Sequence, residues 1–310
     1  MHQLFEQIPS LMQNQNFDTL AVGLVDFKTH EIHSYLYHSK KGVLDQKLFF
    51  DLASMTKPLT MGAAFIKHSE LRTHEIQLLI EHRAGLPAWS ILSRDNWKEH
   101  ISAFPIKESK TEYSDLSALR VKIEMEKIAQ KDIKELCQYY WDDELMHWMD
   151  INGEDCVETG FRKNKIIKGE VHDPNAYNLP VFCSHAGMFG TIEGVCRSLL
   201  NLDREVNLLS TMKKNIEQKP ADQRYCWGWD TVQNSEDTLA GPGASLKVFG
   251  HLGFTGTSMW IDSEKQKGIV ILSNATQNYW YQKEGINNIR RTLGSQFWKM
   301  LWPPILATDC

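Results

Sequence analysis

The chain has 310 residues, with 34 Lys or Arg against 39 Asp or Glu and a formal net charge of −5. With 42% hydrophobic and 24% charged residues it suits an ordinary globular core, which excludes disordered, collagen-like and disulfide-scaffold chains. Mild acidity without a basic stripe excludes nucleic acid as a partner, and no window approaches the ~18–20 consecutive apolar residues of a membrane span.

Residues 1–7 lack the basic stretch and apolar run of a secretory signal, so the expectation is a cytoplasmic protein, or a periplasmic one if a leader has been removed. Residues 18–27 and 32–38 read as strands, and Lys28-Thr29-His30 between them suits an antiparallel hairpin. Leu48-Phe49-Phe50 is a third short apolar run. It leads through Asp51-Leu52-Ala53-Ser54 into a stretch to Ile66 that reads as a helix, with Pro58 tolerated near its first turn. From about 68 to 221 the pattern is mainly helical, clearest at 115–130, 132–149 and 191–202. Strands return at 225–231, 246–249, 257–261 and 268–272. Residues 284–302 close the chain as an amphipathic helix bearing Ile286, Ile289, Leu293, Phe297 and Leu301.

Strands at both ends with helices between predict an α+β fold: one antiparallel sheet built from both termini, flanked by helices, with an inserted helical region. The expected division is a sheet domain of 1–67 plus 222–310 and a mainly helical domain of 68–221. The six cysteines, at 137, 156, 183, 196, 226 and 310, form no C-x-x-C pair and read as free, packed thiols. No H-E-x-x-H, phosphate-cradling or dinucleotide glycine motif stands in the chain, so neither metal nor cofactor is expected. Oligomeric state is left open.

Ser54-Met55-Thr56-Lys57 puts a hydroxyl and an amine on one helical face, where the amine can reach the hydroxyl. A serine needs such help, because its hydroxyl is a poor nucleophile until a neighbour takes the proton. Spacing alone says little, since Ser210-Thr211-Met212-Lys213 repeats it. Context separates the two copies. Tyr113-Ser114-Asp115 follows Ser54 by some sixty residues and opens a helix, and Gly250-His251-Leu252-Gly253-Phe254 leads towards a strand near the end.

Those three elements in that order resemble the serine β-lactamase-related hydrolases: class C β-lactamases, low-molecular-weight penicillin-binding DD-peptidases and esterases of that fold. Phe50–Ser54, the 78–87 segment with Leu78-Leu79, His82 and Gly85-Leu86-Pro87, Val171-His172-Asp173-Pro174-Asn175-Ala176 and Ser184-His185-Ala186-Gly187 resemble further family segments. The resemblance implies that Ser54 is acylated by substrate while Lys57 and Tyr113 share the general-base work. It also implies an oxyanion site at the N–H groups of Ser54 and Phe254, just after Gly253. Ser114 and Asp115 would line the cleft, Asp115 orienting substrate or Lys57.

Departures from the family pattern bear on substrate. His251 stands where lactamases and DD-peptidases usually carry a lysine that grips a carboxylate, and Asp115 stands where asparagine is common. Both favour an uncharged ester or amide, so an esterase is expected. The alternatives are peptidoglycan D-alanyl carboxypeptidase, endopeptidase or weak β-lactamase activity, and a silent ligand-binding protein on the same fold. The partner expected is a small ester, amide or peptide. Trp89 is expected as a cleft wall and His251 as a cleft residue; Asp173 reads as a cap or loop brace, His185 as packing, and 163–168 as a surface loop.

Overall fold

The computed structural model describes residues 2–179 and 181–300; Leu301 and Cys310 lie outside the described residues. Thr19–Asp26 and Ile32–His38 form the expected hairpin. Thr19–Asp26 then pairs antiparallel with Lys267–Ser273, Leu20 opposite Ser273 and Asp26 opposite Lys267. Eight antiparallel strands follow in spatial order: Gly42–Val43, Ile32–His38, Thr19–Asp26, Lys267–Ser273, Ser258–Asp262, Val248–Leu252, Trp229–Thr231 and Tyr225–Cys226.

Every residue of Thr19–Asp26 is buried, because both faces of the sheet are covered. Alternation decides which neighbours each side chain meets. Leu20, Val22 and Leu24 pack with Leu4, Ile8, Ile289, Leu293 and Phe297 of the terminal helices, while Ala21 and Val25 face the larger helical core. Gly23 sits on that second face, where an added Cβ would stand 2.5 Å from Cys196 Sγ, so its bareness lets the helix Ile192–Val206 lie against the strand. The closing helix Glu284–Lys299 is tied to the sheet by Lys267, whose ammonium donates to the Phe297 carbonyl at 2.9 Å.

The chain carrying Ser54 is helical through Ile66, as expected, but its winding changes along the way. Ala53–Met55 is a 3₁₀ turn, Pro58–Gly62 has the wide π-type turn, and Ala63–Lys67 is a regular helix of five residues. Pro58 has no N–H to give to the regular ladder, which accounts for a change of helix type there.

Two expectations are corrected. Of 132–149, only Ile133–Cys137 is α-helical, and Leu145–His147 is a strand beside Met188–Gly190. The 163–168 run is half of a hairpin rather than a loop. Glu158–Arg162 and Lys165–Lys168 pair across Lys163-Asn164, both at positive φ as a tight primed turn requires. Among the described residues no helix is long and apolar enough to cross a membrane.

Candidate active site

Ser54 stands just after the short strand Phe50–Asp51. The residue before it, Ala53, has φ +47°, a backbone region rarely open to residues with a Cβ, so something must hold the turn. Asp51 does so: its carboxylate accepts the Ala53 N–H at 2.8 Å and the His172 N–H at 2.6 Å. Burial raises this carboxyl to about 6 even though both hydrogen bonds favour its ionised form.

Lys57, three residues on, is wholly buried. Its ammonium donates to Ser54 Oγ at 3.0 Å, to Asp115 Oδ1 at 2.7 Å and to the His185 carbonyl at 3.1 Å. An ammonium has three N–H groups, and here each has an acceptor. Burial alone would lower the amine, but the Asp115 carboxylate outweighs it and holds Lys57 above its ordinary value. In this arrangement the Lys57 ammonium donates to Ser54 Oγ.

The Tyr113 ring lies against that cation, 4.8 Å from Lys57 Nζ to the ring centroid. Its hydroxyl is buried and has no hydrogen-bond partner among the described residues. Burial pushes the phenol up, and the Lys57 charge pulls against it. The ring is held by others, with centroids at 4.6 Å to His82, 5.9 Å to Tyr225 and 6.0 Å to His251. Burial keeps both imidazoles neutral: His82 falls well below its ordinary value and His251 to about 3.

Two expected cleft residues lie elsewhere. Ser114 is fully buried as the cap of the helix Asp115–Ala129, accepting the Ser117 N–H at 2.9 Å and donating to the Pro87 carbonyl at 2.6 Å. His251 is 3% exposed behind Tyr113 and does not line the cavity described below. A ring at the end of a central strand packs between neighbouring aromatics, which removes it from solvent and substrate alike.

The loop after that strand is pinned beside the Ser54 turn by two threonines. Thr255 Oγ1 donates to the Asp51 carbonyl at 2.6 Å and Thr257 Oγ1 to the Leu52 carbonyl at 2.9 Å. Gly253 must be bare, since a Cβ would stand 1.9 Å from Thr257 Oγ1 and 2.5 Å from the Leu52 oxygen. Its own N–H is taken by the Thr257 carbonyl at 2.6 Å, whereas those of Ser54 and Phe254 have no acceptor among the described residues.

Ser54, Tyr113 and Asp115 floor a cavity of about 600 Å³, with Trp89, Phe254 and Trp280 as its apolar walls. Its flank is Asp173 and His185, joined at 2.9 Å. Burial would lower the His185 ring, but Asp173 holds it above its ordinary value; burial would raise Asp173, but His185 holds it below its own. Asp173 also caps the short helix Pro174–Asn178, as expected, while His185 pairs with Asp173 where only packing was expected. Cys183 is buried, and among the described residues no cluster of three His, Cys, Asp or Glu is placed to hold a metal ion.

A family model described as Beta-lactamase matches residues 76–293. The chain belongs to the Beta-lactamase family, the serine β-lactamase-related hydrolases. The matched range begins after Ser54 and Lys57, so it covers Tyr113 and His251 but not the nucleophile turn. A beta-lactamase of known structure from Mycobacterium bovis aligns with TM-score 0.58 at 13% identity, over 92% of this chain and 96% of that one; such identity shows the fold alone.

Curated relatives match a shorter stretch. "N-acetylmuramyl-L-alanine amidase" of Bacillus subtilis (strain 168) is 30% identical over 121 residues, 36% of this chain and 27% of that protein. "Putative D-alanyl-D-alanine carboxypeptidase" of Escherichia coli (strain K12) is 33% identical over 121 residues, 36% of this chain and 28% of that protein. The match thus spans little more than a quarter of each relative. As a Beta-lactamase-family member with an α+β fold, the chain adds features its motifs did not announce. Asp51 clamps the turn bearing Ser54, and Trp280 walls the cavity from a segment with no motif.

Proposed function

We propose that this Beta-lactamase-family chain is a serine acyl hydrolase acting on neutral, apolar esters. The observation that carries the reading is the 3.0 Å contact of a buried, charge-saturated Lys57 with Ser54 on the floor of an aromatic-walled cavity. With every Lys57 N–H committed, Tyr113 is the group left to take the Ser54 proton. The active form is then the phenolate, one proton fewer than the resting pair, held by the adjacent ammonium. Ser54 Oγ bonds to the ester carbonyl carbon, and the carbonyl electrons move to an oxyanion facing the N–H groups of Ser54 and Phe254. Tyr113 gives the proton to the departing alkoxide. Water then attacks the acyl carbon, Tyr113 again takes and returns the proton, and the acid leaves a free Ser54.

Charge balance supports the substrate class. The two cations at the floor and flank, Lys57 and His185, each hold a carboxylate of their own, and His251 is neutral. A substrate carboxylate would meet Asp115 on the cavity floor, while Lys283, behind the Phe254 wall, donates to the Phe254 carbonyl. The amidase and carboxypeptidase names of the relatives favour a second reading, peptidoglycan chemistry or weak β-lactamase activity.

Intact-mass spectrometry after exposure to a fluorophosphonate, an aryl ester and a penicillin separates these. The expected result is a lasting phosphonyl adduct on Ser54, rapid ester turnover and no durable penicilloyl adduct. A long-lived penicilloyl-Ser54 supports the second reading, and no adduct with any reagent overturns both.

A further inference from the structure

The segment 172–175 reaches three separate parts of the cavity. The His172 N–H donates to Asp51, which also holds the strained Ala53 next to Ser54. Asp173 Oδ1 accepts the Ala176 N–H at 2.7 Å and lies 2.9 Å from His185 Nε2, and the His185 carbonyl in turn receives Lys57. Asn175 accepts the Leu92 N–H at 3.0 Å and donates to the Ser90 carbonyl at 2.8 Å, which holds the loop carrying Trp89. His185 is 1% exposed, its ring is held by Asp173 and by packing, and its own backbone carbonyl is the one that accepts Lys57.

We propose that the Asp173–His185 pair is a positioning device, locking the carbonyl that orients Lys57 while the neighbouring His172–Asp51 bond holds the turn bearing Ser54. Nucleophile and lysine arrive on one stretch of chain, yet their relative aim is set from a second stretch more than a hundred residues away. The pair takes no part in proton transfer in the proposed cycle, so its effect on kcat falls on alignment. An ångström-scale misplacement of a reacting group is enough to cost a large factor in rate. The inference rests on the serine hydrolase reading.

Asp173→Asn tests it, because asparagine keeps an acceptor for the Ala176 N–H and for a neutral imidazole while removing the ion pair. The expected result is a roughly 10–100-fold fall in kcat for an aryl ester with KM within about threefold, and an equal fall in the rate of Ser54 phosphonylation. A role in capping alone is met by asparagine, so kcat within twofold of wild type overturns the inference. Where that variant fails to fold, His185→Gln, which removes the ring charge and leaves the cap, is read against the same outcomes. Phosphonylation absent from the wild-type protein overturns the hydrolase reading and this inference with it. Normal labelling of wild type and variant alike overturns this inference alone.

Discussion

Ser54 and Ser210 each stand three residues before a lysine on a helical turn, and the two pairs have different fates. Lys57 is enclosed, carries three acceptors and lies against an aromatic ring. Lys213, on the surface helix Leu208–Gln218, is 44% exposed and pairs with Glu264 at 3.4 Å. An ion pair so placed is worth little, because water screens both partners. The same spacing thus brings hydroxyl and amine to one face in both places. Chemistry needs what the first copy adds, namely exclusion of water, a fixed proton inventory and a cavity.

The largest expected effect contrasts the two directly. Ser54→Ala should cut aryl-ester turnover by at least about 10³-fold while Ser210→Ala leaves it unchanged. Equal activity of the two variants in a steady-state assay breaks the comparison. Next, Lys57→Met and Tyr113→Phe should each lose roughly 10²–10⁴-fold, and the double variant should be little worse than either, since the groups act as a unit. Additive losses in kcat/KM would contradict a shared proton inventory.

A smaller effect concerns pH. Asp115 raises both Lys57 and Tyr113, so Asp115→Asn should lower both and move the rising limb of kcat/KM to lower pH. A pH–rate profile with an unmoved limb would separate Asp115 from the base.

The smallest effect tests burial itself. His147 and His172 are held at about 4 and His251 at about 3, all below the ordinary imidazole value. Their neutral forms contribute stability above pH 6.5 that is lost as pH falls through those values. Asp51, raised to about 6, works the other way: its contribution is present at low pH and lost on the way up, so it offsets part of the loss. Melting should therefore fall by roughly 5–10 °C between pH 7 and pH 4.5. A flat scan would mean these rings are not sealed.

Much of this was legible before any coordinates. Apolar runs bounded by turn residues near both ends marked the sheet, because a strand buried on both faces still needs turn residues at its limits. The Ser54, Tyr113 and Gly253-Phe254 segments marked the cavity, since glycine and cap residues there have few substitutes. Contacts set by a neighbour's neighbour were not legible. That His251 would retreat behind Tyr113 depends on Tyr225 and His82, and that Ser114 would serve as a cap depends on Pro87. Asp51 looked like any polar residue at a strand end. Its value comes from His172, far along the chain, and no local pattern announces that meeting.

The pairing of Thr19–Asp26 with Lys267–Ser273 also has a consequence for how the molecule is made. Translation runs at about 5–20 residues per second, so Leu20 waits on the order of ten to fifty seconds for Ser273 to emerge from the ribosome. Through that interval one edge of the first hairpin is unpaired and both its oily faces lack their final cover. Nascent chains of this protein should be prime clients for holding chaperones until the last strands arrive.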